Sequence, residues 1–177
     1  MSLSTTMPLN ALVNALTASA PSAGFDVELD AMASLRADHE ALYCLSRSCQ
    51  LASSLAQKQV LLAQVVSAFA VHVQVDEEIF YADVKAEWSA HWPSFSAGAG
   101  HNSARQLMRQ LVQAPGNSVS FDAKVTRLCD LVRQHIQEAN DEVFPMAQAS
   151  SLNLVDIGAR MAARKADLLT RRGHEHV

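Results

Sequence analysis

Residues 121–146 read FDAKVTRLCDLVRQHIQEANDEVFPM. Phe121, Val125, Leu128, Val132, His135, Ala139, Glu142 and Met146 fall along it at steps of four and three, the seam of a helix packed in a bundle. Three other stretches carry the same kind of stripe. Met32, Leu35, His39 and Leu42 mark a helix over about 26–52. Val65, Phe69, His72, Asp76 and Ile79 mark one over about 56–88. His101, Ala104, Met108 and Leu111 mark a third, which Pro115-Gly116-Asn117 ends. Pro145 is expected to mark the frayed end of the fourth. Four helices joined by short connections predict an all-α, up-down-up-down four-helix bundle.

The flanks add less. Leu9, Leu12, Val13 and Leu16 suit a short amphipathic helix inside an N-terminal extension, residues 1–24, which Pro21-Ser22-Ala23-Gly24 breaks. An extra C-terminal helix is expected from Leu152 to about Arg171, with Leu154, Ile157, Met161 and Leu168 inward and a basic outer face. The main domain is thus read as 25–171 and the tail, 172–177, as disordered.

Composition agrees with this reading. With 177 residues the chain can bury one full core. Six glycines and five prolines are too few to punctuate a β-sandwich or barrel. A net charge of −4 and 6% aromatics argue against a nucleic-acid partner. Cys44, Cys49 and Cys129 form no C-x-x-C pair, so neither a zinc ribbon nor a redox dithiol is indicated. No Lys or Arg precedes Arg36, which a secretory leader would need, and Gln59–Val75 is interrupted by three glutamines, a serine and a histidine. A cytoplasmic protein without a membrane partner is the expectation.

The histidines carry the chemistry. His91, His174 and His176 fall in a loop or the tail and read as solvated. His39, His72, His101 and His135 instead sit one on the apolar stripe of each main helix. One such residue would be an ordinary core histidine. Four buried imidazoles each need a polar partner, and a shared metal ion meets that need economically. Asp76, four residues after His72 on the same face, can join them. Glu77 and Glu78 are expected to point away as solvated charges. On the fourth helix the residue four after His135 is Ala139, which cannot ligate; Glu142, seven after, is on the stripe about 10 Å along the axis.

These residues resemble a known family. Asp38-His39-Glu40, HVQVDEEIFY (72–81), the lone His101 and HIQEANDEVFP (135–145) are similar, in order and spacing, to the motifs of hemerythrin-like HHE cation-binding domains. The stretch NLVDIGARMAARKADLL also looks like the helix that commonly follows this domain. The resemblance covers roughly residues 27–171 and implies a non-haem di-iron centre with carboxylate bridges. It also shows departures. Oxygen-carrying hemerythrins have a second third-helix histidine where Arg105 stands, and HHE domains usually have Glu at the positions of Asp76 and Ala139.

The expected function is therefore a hemerythrin-like metal-binding protein with His39, His72, Asp76, His101, His135 and Glu142 as candidate ligands. Iron, as one ion or two, comes from the resemblance; imidazole-plus-carboxylate donors by themselves admit zinc or manganese. Small ligands of such a site would be O₂, NO or peroxide, in sensing, scavenging or iron handling. The alternative is a mononuclear or vestigial site in a bundle that acts as a structural or interaction module. A binding protein is favoured over an enzyme, since no Ser or Cys has a recognisable partner base, and a ferritin-like oxidase would need two inward Glu-x-x-His pairs. The oligomeric state is left open by the residues.

Overall fold

The structure, a computed structural model, describes residues 30–89, 97–113 and 119–174. The N-terminal extension and the short helix expected in it, His91, residues 115–117 and the last three residues lie outside these. All the described elements are helical. Helix α1 is Ala31–Leu51, capped by Asp30, whose side chain accepts a hydrogen bond from the Ala33 amide at 2.8 Å. Helix α2 runs through Leu55–Glu87 behind a Ser54 cap. Helix α3 is Ala97–Gln113. Helix α4 runs from Val119–Glu138 through Ala139–Val143 into Phe144–Gln148, and α5 is Leu154–His174, three residues into the stretch read as a tail.

Pairs α1–α2, α3–α4, α1–α4 and α2–α3 pack side by side, which closes the up-down-up-down bundle; α5 lies across α1 and α2. By length and composition α2 could cross a membrane, yet half of its most apolar window is buried within the protein, as in a core helix.

Two turns are wider than α-helical. Asp76–Phe80 in α2 and Ala139–Val143 in α4 are π-helical, with the Tyr81 amide bonded to the Asp76 carbonyl and the Phe144 amide to that of Ala139. Each begins four residues after a bundle histidine, so the two hairpins share the device. A π-turn inserts one residue into the face and rotates the rest of the helix about its axis. The inner stripe of α4 therefore passes from Ala139 to Val143 and Phe144, both buried, and leaves Glu142 half-buried beside it. Pro145 does not end α4. It falls in the first turn of the renewed α-helix, where a missing amide hydrogen costs least, and the helix continues to Gln148.

The predicted stripes of α1 to α3 are buried throughout, and the apolar core divides in two. One cluster gathers Met32, Leu35, Val75, Phe80, Phe144 and, from α5, Ile157, Met161 and Leu168. The other gathers Leu42, Val65, Phe69, Met108, Leu128 and Val132. Between Leu35 and Leu42, Phe69 and Val75, Val132 and Ala139 stand His39, His72 and His135. Three basic residues of α5 do not simply face outward. Arg160 pairs with Asp83 and Arg164 with Glu78, both at 2.6 Å, and Lys165 with Asp38, so these cations clamp α5 to α1 and α2. Because two apolar clusters hold the bundle, stripping divalent ions with a chelator should leave the far-ultraviolet circular dichroism signal helical, unlike a zinc finger.

Candidate metal centre

Each bundle helix supplies one histidine because each stripe carries one, and all four rings are buried. His39, His72, Asp76 and His135 bring one donor atom each to within 4.8 Å of one another. The Nε2 atom of His72 lies 3.1 Å from that of His39 and 2.8 Å from that of His135. The Asp76 carboxylate stands 3.3 Å from His72 Nε2 and 3.5 Å from His135 Nε2. Aromatic rings fix the imidazoles from behind: Phe144 stacks on His39 at 5.6 Å, Phe69 on His72 at 6.4 Å and Tyr81 on His101 at 5.7 Å.

The outer partners decide which nitrogens face inward. His72 Nδ1 is 3.8 Å from Asp38, which Lys165 holds from its other side. His135 Nδ1 is 3.0 Å from His101 Nε2, and His101 Nδ1 is 2.9 Å from Glu77, which Arg105 also binds at 2.9 Å. An acceptor at Glu77 places the proton of His101 on Nδ1. That leaves His101 Nε2 to accept from His135 Nδ1–H. His72 and His135 then both present Nε2 lone pairs to the centre, the arrangement found where a carboxylate or second residue orients a metal-ligating imidazole.

The donor set fits a cation. A neutral imidazole offers one donor and one acceptor, so three crowded Nε2 atoms cannot all pair with one another. Asp76 Oδ1 and His39 Nδ1 are buried without hydrogen-bond partners. An ion among three nitrogens and one carboxylate would neutralise the lone pairs and the buried charge together.

Electrostatics track burial. Desolvation raises Asp76 to about 6 against the opposing pull of His72. It lowers His39 to about 3 and His101 to about 4, and takes His135 well down. His72 is the exception: burial lowers it, but Asp76 and Asp38 more than reverse this. For Asp38 and Glu77, burial pushes upward, and the neighbouring His72 and Lys165 for the first, and the Arg105 hydrogen bonds for the second, carry each below the ordinary carboxylate range.

Five of the six residues singled out in the sequence are thus brought together, though unequally. His39, His72, Asp76 and His135 form the cluster. His101 stands behind His135, joined to it by a ring-to-ring hydrogen bond. Glu142 is not drawn in, because the π-turn rotates it off the stripe. Two carboxylates carry more than their sequence positions suggest. Glu77, expected to be solvated, serves His101, and Asp38 serves His72. The only sequence signal for the first is Arg105, one turn after His101 and able to hold the same acid; the second is a contact between helices, invisible along the chain.

A family model for the Hemerythrin HHE cation binding domain matches residues 29–147. No curated protein matches the chain. Among solved structures, the chain is similar to the crystal structure of a hemerythrin HHE cation binding domain-containing protein from Mycobacterium kansasii, with 18% identity and a TM-score of 0.67, over 78% of this chain and 86% of that one. At that identity the likeness speaks for the fold.

The pKa pattern predicts acid lability of the metal-free protein. Unfolded, all four histidines protonate near 6.5; folded, His39, His101 and His135 resist until far lower pH. Stability from a lowered histidine is full above 6.5 and is lost as pH falls. Asp76 and His72, both raised, act in the opposite direction but are outnumbered. Near pH 5 unfolding takes up about two protons, so stability should drop by roughly 2–3 kcal/mol per pH unit. Thermal melts between about pH 7 and 5 would show a falling midpoint; a flat or rising one would contradict the assignment.

Proposed function

The chain belongs to the hemerythrin HHE cation-binding family, and from that premise we propose that it holds one iron ion among His39, His72, Asp76 and His135, in the cytoplasm. The observation that carries this reading is the convergence of three imidazole nitrogens and one buried carboxylate whose Oδ1 has no hydrogen-bond partner. Iron bound there would supply a redox-active centre of the kind that takes a small ligand such as O₂, NO or peroxide. The protein's own part is to aim the imidazoles, through Asp38 on one side and His101 with Glu77 on the other, and to keep water out with Phe69, Phe80 and Phe144. The choice of iron over zinc or manganese rests on the family, since the donors accept all three.

One ion rather than two is favoured by Ala139. It is 1% exposed and packed in the apolar cluster with Phe80 and Phe144, where a second bridging carboxylate would otherwise stand. His101, with both ring nitrogens engaged by His135 and Glu77, acts here as an orienting residue rather than a ligand.

Metal analysis of untagged protein should give about one iron per chain, lost in His72→Ala and His135→Ala. Binding should weaken as pH falls below about 6, where a proton competes for Asp76. A chain that takes up none of iron, zinc or manganese would overturn the proposal. Ala139→Glu should raise the ratio toward two and destabilise the metal-free form, because an unpaired buried carboxylate costs several kcal/mol. Two tightly held irons in the wild type, with no gain from the added Glu, would show that other residues already complete a second position.

A further inference from the structure

Helix α5 begins at Leu154, beyond residues 29–147 that match the family, yet it reaches the site. Its apolar face shares a core cluster with Met32 and Leu35 of α1. From the neighbouring face Lys165 binds Asp38 Oδ1, while Asp38 Oδ2 stands 3.8 Å from His72 Nδ1, an ion-pair separation. The Nε2 atom of the same ring lies 3.3 Å from Asp76. The side chains along this line go from 39% exposed at Lys165 to 22% at Asp38 and 3% at His72. The other two cations of the clamp, Arg160 and Arg164, end on Asp83 and Glu78, which touch no histidine of the centre.

We propose that Lys165 is a positioning residue of the metal centre, holding Asp38 in the rotamer that anchors the outer nitrogen of His72 and so keeps its inner nitrogen aimed at the ion. The inference rests on the metal-binding reading above. An isolated carboxylate at the edge of the core gains hydration by turning outward. A cation on one oxygen opposes that turn and leaves the other oxygen toward the ring. Arg105 does the equivalent for Glu77 and His101 on the far side of the bundle, so two of the four rings are braced by a carboxylate that a cation from another helix holds in place. Outer partners of this kind typically change metal affinity by about 10–100-fold.

The test uses the full chain with Lys165→Met, Lys165→Arg and, as a control that removes an equivalent clamp, Arg160→Met. Two readouts apply: the imidazole ¹⁵N shifts of His72 in the metal-free protein, which report which nitrogen carries the proton, and Fe(II) affinity by chelator competition. Lys165→Met should move the His72 shifts away from the Nδ1–H pattern and weaken iron about 10–100-fold. Lys165→Arg should restore both, and Arg160→Met should leave both near wild type. Should Lys165→Met loosen α5, Asp38→Asn, which keeps Lys165 in place with an amide oxygen able to accept from it, must give the same spectral change. Unmoved His72 shifts in Lys165→Met and Asp38→Asn would overturn the proposal, as would an equal loss in Arg160→Met. A wild-type chain that binds none of iron, zinc or manganese would sink the metal reading, while the ¹⁵N comparison would still decide the bracing of His72.

Discussion

Three imidazole nitrogens and a carboxylate held within 4.8 Å, in a layer between two apolar clusters, are the constraint on which the bundle's interior is organised. Such a layer is costly, because buried polar groups lose water and must recover its hydrogen bonds. The protein recovers them outward on two sides, through Asp38 and through His101 with Glu77, and leaves the inward atoms underused. A polar layer built only for packing would be satisfied within itself. This one leaves His39 Nδ1 and Asp76 Oδ1 without partners and crowds three imidazole nitrogens at its centre, the arrangement expected of a cation site.

The π-turns are the backbone's answer to the same demand. Both start one turn after a histidine, in the two helices that must also present a donor or a small residue at that level. The added residue lets Asp76 stay beside His72 while Phe80 and Tyr81 are buried, and in α4 it brings Phe144 behind His39. It also leaves Glu142 half-buried and outside the cluster. The acid that a strict three-and-four count would put on the stripe is turned aside by a change in helical pitch. Ala139 fills the level where Asp76 stands in the other hairpin, so the two halves of the bundle share a backbone but not a donor set.

Electrostatics bind the fifth helix into the architecture. Three of its cations, Arg160, Arg164 and Lys165, answer three acids spread over α1 and α2, and the apolar contacts of Ile157, Met161 and Leu168 run alongside. Exposed pairs of this kind contribute little stability individually. Their effect is on register: they fix how α5 lies along the bundle, and therefore which acid Lys165 meets.

The order and period of the residues determined the helices, their buried faces and the four histidines, because helical burial repeats every three to four residues and can be read in one dimension. His39, His72, Asp76 and His135 were legible for that reason, and the spacing also carried the resemblance to the family. What the sequence could not contain is any distance between helices. That Glu77 turns to His101 and Arg105, that Asp38 serves His72 rather than its neighbour His39, and that Lys165 reaches inward from an apparently outer face are all contacts between helices. Glu142 left the stripe for a related reason. The period is a property of an ideal α-helix, and the π-turn that breaks it at Ala139 is set by packing around the histidine layer. Local periodicity fixed which residues enter the core; only tertiary packing decided which of them meet.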